Sequence, residues 1–220
     1  NKLKIGDTTF AIGAPLTSDY SWTVTKGIIS GKERLVEIST TSTSESDYVM
    51  NVIQTDTAVN QGNSGGPLCN ANGEVIGIIS AKISGTGVEG MGFAIPIETA
   101  TEKADNIINK KTTTYPYLGI SMINLTDIKS YPNYYNYLEK TNLENGVVVM
   151  SVENNSPAKK AGLKEGDIIT KLNDEETKNI AYLRYKLYKH KKGDKITITY
   201  ERNGKTKTTK VKLTDQNTQA

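Results

Sequence analysis

One segment of the 220-residue chain places a serine among closely spaced glycines, Gln61-Gly62-Asn63-Ser64-Gly65-Gly66-Pro67-Leu68. A serine between glycines at a tight turn can be held exposed, with neighbouring backbone N–H groups directed at one point. Acyl transfer requires this arrangement, because the nucleophile must lie beside hydrogen-bond donors that stabilise an oxyanion. Plain hairpin loops show the same pattern. From these residues alone, both interpretations of Ser64 stay open.

The chain has one histidine, His190, and one cysteine, Cys69. A single histidine excludes a site with two imidazoles, and a single cysteine excludes an internal disulfide framework or a Cys-rich zinc site. We therefore expect no metal and no cofactor. His190 follows a predicted helix, where a cationic side chain is favoured, and this favours a surface role over a catalytic one. Cys69 is interpreted as a buried core thiol.

The first half of the chain is predicted to form short strands separated by Gly, Asn and Ser turns. The strands cover residues 8–12, 23–30, 47–54, 65–69, 74–80 and 92–95, and Asn72-Gly73 predicts a tight hairpin turn. Pro96 is predicted to open a helix that runs to about Ile108. Many short strands followed by one terminal helix favour a β-barrel or a β-sandwich.

The second half differs in charge and in tyrosine content. Residues 1–112 carry 9 Lys+Arg and 12 Asp+Glu, residues 113–220 carry 18 and 12, and ten of the twelve tyrosines follow residue 112. The polar join before Pro116 resembles a linker, so we predict two domains, 1–112 and 113–220. In the second we expect strands at 119–125, 146–152 and 168–172, helices at 158–161 and 180–188, and a hairpin of 195–201 with 205–213.

The run from Asn51 to Leu68 closely resembles the HtrA/DegP family of serine proteases, and so do residues 10–16, 25–30, 73–78 and 92–96. These matches follow the family's order and spacing. The resemblance implies a mainly β fold with some α, in which the second β-barrel of a chymotrypsin-like protease precedes a PDZ domain. One departure is Gln61, where the family usually has proline.

The resemblance implies a role for each residue of the serine turn. Ser64 becomes the nucleophile, and the N–H groups of Gly62, Asn63 and Ser64 form the oxyanion hole. The edge strand that pairs with the substrate backbone corresponds to Ile79, Ser80 and Ala81. Residues 17–22 and 84–92 resemble mobile loops that order on activation, although plain long hairpin loops remain an equal alternative.

The family's catalytic histidine and aspartate lie upstream of the segment with which this chain begins, and no histidine precedes Ser64. Without an imidazole base a serine hydroxyl is a poor nucleophile. A Ser–Lys dyad with Lys82 is conceivable, but the resemblance places Lys82 outside such a role. We therefore expect the chain by itself to be inactive.

In the second domain, Tyr117-Leu118-Gly119-Ile120 resembles the carboxylate-binding loop of a PDZ domain. The N–H groups of Leu118, Gly119 and Ile120 would hold the C-terminal carboxylate of a peptide that adds a strand to the sheet. Leu183 and Leu187 would form a wall of the side-chain pocket or belong to the core, and the core is favoured for Leu187. The Tyr-rich insertion at 126–145 would shape the groove or pack as a surface flap.

The resemblance further implies an ATP-independent endopeptidase of protein quality control and stress response, which cleaves unfolded or misfolded proteins. The full-length parent would be extracytoplasmic, membrane-anchored and homo-oligomeric, a trimer, while this chain, which lacks an apolar run of eighteen residues, is expected to be soluble. The alternative to an endopeptidase is a protein without catalytic activity, either a peptide-binding PDZ module or a degenerate protease with a regulatory role. A basic adaptor for anionic surfaces is a third, although the lysines at 205–212 favour a solvated edge over nucleic-acid binding.

Overall fold

A computed structural model describes residues 3–14, 22–39, 46–60, 62–80, 90–110, 114–130 and 141–215. The internal contacts of the chain divide it into two units, Asn1–Thr112 and Thr113–Ala220. Within the described ranges, no helix has both the length and the apolar character needed to cross a membrane. In the same ranges, no three His, Cys, Asp or Glu side chains form a group that could hold a metal ion.

Six antiparallel strands of the first unit close into a barrel in the order β1-β2-β3-β6-β5-β4. They are β1 (Thr8–Gly13), β2 (Thr23–Ile38), β3 (Tyr48–Thr55), β4 (Pro67–Asn70), β5 (Val75–Ile79) and β6 (Gly92–Pro96). The barrel predicted from the sequence is therefore confirmed. β2 extends eight residues beyond its predicted end, since its pairing with β3 continues past irregularities in register around Gly31 and Arg34.

Alternating apolar residues of these strands form two clusters. The barrel interior consists of Ala11, Ile29, Ile53, Leu68, Ile76, Ile79 and Ala94. Ile38, Val52 and Phe93 form a second cluster, against which Met50 packs. β3 thus contributes one face to each cluster, because successive strand residues point to opposite sides.

The connection between β4 and β5 is longer than the predicted two-residue turn. Oδ1 of Asn70 accepts hydrogen bonds from the N–H groups of Asn72 and Glu74, both at 3.0 Å. In this connection a positive φ occurs at Gly73 (79°) but not at Asn72. The side chain of Asn70 therefore stabilises the turn. Asn is frequent at turn positions because its side chain can accept such hydrogen bonds from the backbone.

The barrel is followed by helix α1 (Ile97–Ile108), as predicted, with Pro96 as its N-cap. None of its residues is buried, and Ile107 and Ile108 are 77% and 75% exposed. Although its isoleucines recur at helical spacing, they do not form a buried face against the described residues of this unit.

The second unit is built on a sheet with the order β13-β12-β10-β9-β8, in which β11 pairs with β10. Its main strands are β8 (Ile120–Asn124), β9 (Val147–Val152), β10 (Ile168–Leu172), β12 (Lys195–Arg202) and β13 (Lys205–Lys212). Three two-residue strands were not predicted: β7 (Pro116–Tyr117), β11 (Glu175–Glu176) and β14 (Thr214–Asp215). Such short pairs carry no periodic signal in the sequence.

The helices of this unit agree with prediction. α2 (Pro157–Lys160) begins after Ser156, whose Oγ accepts from the N–H of Lys159. α3 (Ile180–Leu187) begins after Asn179, whose side chain caps the N–H of Tyr182. Asn203 and Gly204 both have positive φ, which gives β12 and β13 the tight hairpin turn that this dipeptide predicts. Leu125–Ser130 forms a 3-10 helix in place of the predicted end of β8.

Two apolar clusters cover the faces of the sheet. The larger one joins the sheet to both helices and includes Leu118, Val147, Val149, Ala158, Ile169, Leu183, Leu187 and Ile198. Leu125, Ile128, Val148 and Ile168 form the smaller one. An ion pair adds to this packing, because the fully buried Asp167 carboxylate accepts from Nε of Arg202 at 2.6 Å and from Nη2 at 2.7 Å.

Candidate active site and peptide-binding loop

The turn that carries Ser64 lies between β3 and β4, and its backbone is hydrogen-bonded to the end of β5. The N–H of Gly65 donates to the carbonyl of Ile79, and the N–H of Ile79 donates to the carbonyl of Gly66, both at 2.9 Å. Gly62 and Gly65 have φ values of 104° and 84°, which glycine adopts readily. Ser64 is exposed. The structure thus brings the predicted nucleophile beside the predicted substrate strand.

Asn63, the residue before Ser64, is buried, and its backbone is already hydrogen-bonded. Its N–H donates to the carbonyl of Asn60 at 3.0 Å, and its carbonyl accepts from the N–H of Gly66 at 2.9 Å. Nδ2 lies 3.3 Å from the carbonyl oxygen of Ala58. Of the three N–H groups expected in the oxyanion hole, that of Asn63 therefore points to Asn60 in this conformation.

The turn approaches β1 so closely that two positions admit only glycine. A Cβ atom on Gly13 would lie 2.7 Å from Cα of Asn63. A Cβ atom on Gly66 would collide with the carbonyl oxygen of Ile12 and would lie 2.9 Å from that of Asn63. The glycines of this segment therefore permit close backbone packing in addition to the turn itself.

Three buried threonine hydroxyls anchor the segment that leads to Ser64, a feature that the sequence analysis missed. Oγ1 of Thr57 lies 2.6 Å from that of Thr9 and 2.8 Å from that of Thr55. Oγ1 of Thr55 also lies 3.0 Å from that of Thr9 and donates to the carbonyl of Ile28 at 2.7 Å. This threonine cluster ties β1, β2 and the end of β3 together. Threonines in a strand carry no sequence signal for such a cluster, since they are common in strands generally.

Part of the predicted substrate strand lies within the described residues. Ile79 is buried, and the N–H of half-buried Ser80 donates to the carbonyl of Phe93 at 3.0 Å. Ala81, Lys82 and Gln61 lie outside the described residues, as do most of the two predicted loops at 17–22 and 84–92.

His190 belongs to the second unit and has partners there. Its Nε2 lies 3.2 Å from Nδ2 of Asn173, and its Nδ1 lies 3.5 Å from a carboxylate oxygen of Asp194. Both partners belong to turns that flank the strands of this unit. These contacts account for the histidine without a catalytic role.

The predicted carboxylate-binding loop, Leu118 to Ile120, has a fixed backbone. The carbonyl of Leu118 accepts from the N–H of Ala158 at 3.0 Å, and that of Gly119 accepts from the N–H of Glu153 at 2.9 Å. Gly119 has a φ of 76°, and a Cβ atom on it would collide with the Ser156 side chain. Among the described residues, the N–H groups of Leu118 and Gly119 have no hydrogen-bond partner. The loop therefore presents backbone donors, as binding of a carboxylate requires.

A tyrosine beside this loop has a perturbed acidity. The hydroxyl of Tyr117 donates to the carboxylate of Glu153. This hydrogen bond, followed by burial and by the negative charge of Glu153, raises the pKa of Tyr117 to about 12. The contact fixes the loop against the segment that follows β9.

Leu183 and Leu187, predicted either to line the peptide pocket or to belong to the core, lie in the core, and other residues lie beside the open edge of β8. Leu183 and Leu187 are buried in the core cluster, which agrees with the core interpretation of Leu187. Ile120, Met122 and Ile180 are half-buried against the same cluster. These three apolar side chains are the ones that an added peptide strand could contact.

Comparison with known proteins gives a match for each half of the chain. Residues 1–78 match the family described as trypsin-like peptidase domain, and residues 116–213 match the PDZ domain. The chain is 45% identical over 218 residues to "Serine protease Do-like HtrB" of Bacillus subtilis, which covers 98% of this chain and 47% of that protein. It is 44% identical over 216 residues to "Serine protease Do-like HtrA" of Lactobacillus helveticus, with 96% and 50% covered.

These matches show that the chain is similar over nearly its whole length to HtrA-type serine proteases and that it combines a trypsin-like peptidase match with a PDZ match. They confirm the resemblance and the fold class predicted from the sequence. Among solved structures, "HtrA-type protease AlgW with decapeptide" matches with a TM-score of 0.62 and 32% identity, over 97% of this chain and 62% of that one. The serine endoprotease from Yersinia pestis matches with a TM-score of 0.58 and 29% identity, over 99% and 65%. The chain spans about half the length of the curated relatives above.

Proposed function

We propose that this chain, like the HtrA-type proteases that it resembles, carries the nucleophile half of a serine endopeptidase site in residues 1–112 and a peptide-binding PDZ domain in residues 113–220. The supporting observation is the position of Ser64, exposed on a turn whose backbone is bonded to the end of β5 at Ile79. A peptide lying along Ile79 and Ser80 would present its carbonyl carbon to the Ser64 hydroxyl.

In the proposed reaction, Ser64 Oγ attacks that carbonyl carbon and loses its proton to a base, which gives a tetrahedral intermediate. The C–N bond of this intermediate then breaks, the amine leaves with the proton that the base returns, and the acyl-enzyme remains. Water hydrolyses the ester and regenerates the serine. The oxyanion is stabilised by the N–H groups of Gly62 and Ser64. The N–H of Asn63 joins them if its peptide plane rotates away from Asn60, to which it donates in this conformation.

We propose that the base comes from outside these 220 residues. Their one histidine, His190, has partners in its own unit, Asn173 and Asp194. We propose that the parent protein supplies a histidine and an aspartate and that this chain alone is inactive. Following the family resemblance, the parent is a trimeric, membrane-anchored, extracytoplasmic protease.

We propose unfolded or misfolded proteins as substrates. In the predicted substrate strand of Ile79, Ser80 and Ala81, both backbone groups of Ile79 are bonded to the serine turn and the N–H of Ser80 is bonded to Phe93, so we propose that a substrate pairs with the carbonyl of Ser80 and with Ala81. A substrate can do so only if its own backbone is extended and free of other partners, which folded proteins rarely offer. In the second unit, the donors of Leu118, Gly119 and Ile120 would bind the carboxylate at the end of a peptide chain.

A fluorophosphonate probe tests the catalytic proposal. We expect no efficient labelling of the 220-residue chain, and labelling at Ser64 once the preceding residues of its parent are joined to it. Ser64→Ala in the longer protein should abolish labelling and casein cleavage. Efficient labelling of the short chain would refute its proposed inactivity. If the longer protein neither reacted with the probe nor cleaved casein, the degenerate protease would be favoured.

Paired peptides test the second unit. A peptide with an apolar C-terminal residue and a free carboxylate should bind at least about tenfold more tightly than its amidated form, because the loop donors then lose a charged acceptor. Equal binding of the two forms would refute the carboxylate-binding role of the loop.

A further inference from the structure

The open edge of β8 has a defined beginning and end. Among the strands that the structure describes, β8 is the last of its sheet and pairs with β9 on one side only. Helix α3 contacts it. The loop that presents the Leu118 and Gly119 donors precedes the strand, and Asn124 is its last residue. A peptide bound by its carboxylate would therefore run along β8 toward Asn124.

The side chain of Asn124 spans the distance between β8 and α3 at that end. Its Oδ1 accepts from the N–H of Ile180, the first residue of α3, at 2.8 Å. Its Nδ2 donates to a carboxylate oxygen of Asp127 at 2.7 Å. Strand and helix are thus joined by one amide whose two ends are both hydrogen-bonded, so the amide is held in place.

The other end of α3 is also held. The rings of Tyr188 and Tyr115 lie 4.5 Å apart between centroids. Buried Lys186 donates to the backbone carbonyl of Glu176, and its Nζ lies 3.5 Å from a carboxylate oxygen of Glu175. With contacts at both ends, the helix cannot swing away from β8 without breaking hydrogen bonds.

We infer that Asn124 closes the far end of the groove between β8 and α3 and thereby sets the length of peptide that it accepts. The inference rests on the proposed peptide binding by this unit. At about 3.3 Å per residue, the edge from the loop to Asn124 pairs with about four residues of an extended peptide. Ile120, Met122 and Ile180 select apolar side chains in that peptide. Asn124 acts as a positioning residue, since it limits the ligand by joining β8 to α3.

The test measures the affinity of peptides of three, five and eight residues that share one apolar C-terminus with a free carboxylate. For the wild-type chain, affinity should rise about tenfold from three to five residues and change less than about twofold from five to eight. In Asn124→Ala the eight-residue peptide should bind at least about fivefold more tightly than the five-residue one. Thr208→Ala, at an exposed position of β13 at the opposite end of the sheet, should behave like wild type.

Two results would overturn the inference alone: an equal gain from five to eight residues in wild type and Asn124→Ala, or no gain in a folded Asn124→Ala. Binding of no peptide at any length would overturn the proposed peptide binding as well. A second measurement does not depend on the variant. On the wild-type chain, the five- and eight-residue peptides should shift the same backbone amide resonances of β8, and additional shifts at Leu125 to Asp127 with the longer peptide would contradict closure.

Discussion

The side chain of Asn63 lies against the backbone of Gly13, so that a Cβ atom on Gly13 would lie 2.7 Å from Cα of Asn63 and closer still to its Oδ1. Because one of these atoms is backbone, Gly13→Ala must displace the turn that carries Ser64. We expect the free energy of unfolding to fall by about 1–3 kcal/mol, the usual cost of overpacking. Urea denaturation measures this loss, and the amide resonances of residues 62–66 should shift.

Gly73→Ala is the matched control for this prediction. No atom lies within 4 Å of a Cβ at Gly73, so its cost arises from its φ of 79° alone. We expect about 1 kcal/mol and unchanged resonances at the serine turn. Wild-type stability and an unshifted turn in Gly13→Ala would contradict the close packing.

Thr57→Val tests the threonine cluster. The substitution keeps the shape of the side chain but removes a buried hydroxyl that lies within hydrogen-bonding distance of Thr9 and Thr55. The two remaining hydroxyls then lose a partner, so we expect a loss of about 1–3 kcal/mol in urea denaturation. Thr208→Val, on an exposed position of β13, should change the stability by less than about 0.5 kcal/mol. Equal effects of the two variants would show that the cluster contributes nothing specific.

Asp167→Ala should be the most destabilising of these variants. It leaves the Arg202 guanidinium without the carboxylate that it contacts through two nitrogens, and it removes an acceptor for the N–H of Lys164. Breaking a buried pair in this way costs about 3–5 kcal/mol. Lys192→Ala breaks the pair with Asp215, whose lysine is largely exposed, and should cost no more than about 1 kcal/mol. Thermal unfolding followed by circular dichroism ranks the two, and the reverse order would refute the prediction.

Tyr117 should make stability depend on pH in the alkaline range. Its pKa is raised to about 12 in the folded chain, from an ordinary value of 10.0, chiefly by its hydrogen bond to Glu153. The folded state therefore holds the proton more tightly than the unfolded chain. The resulting stability is fully present below pH 10 and is lost as pH rises toward 12.

The measurement compares the free energy of unfolding of wild type and Tyr117→Phe between pH 9 and 11.5. The difference between the two proteins should shrink as pH rises above 10. Glu153→Gln removes the acceptor carboxylate and should bring the pKa of Tyr117 back toward its ordinary value. A pH-independent difference would show that the hydrogen bond does not bind the phenolic proton in the folded state.

Local patterns in the sequence were sufficient for most of the longer elements and for the family resemblance. Short strand-like runs between Gly, Asn and Ser turns predicted the barrel strands, and Asn203-Gly204 predicted the hairpin turn that the structure shows. The serine turn was identified by its glycines and by its resemblance to a known family. These signals depend on the φ preferences and hydrophobic periods of adjacent residues, which a sequence displays directly. The extension of β2 and the two-residue strands were missed because pairing with distant strands decides them.

The sequence by itself determined that a glycine-bracketed serine lies on a turn of a barrel and that a loop with exposed N–H groups opens the second unit. Only the tertiary structure decided which groups are already engaged: the N–H of Asn63 on Asn60, the hydroxyls of Thr9 and Thr57 on each other, and Asn124 on Ile180. The last two contacts join residues 48 and 56 positions apart. Hydrogen bonds over such separations depend on strand register and barrel closure, and these arise only when the whole chain packs.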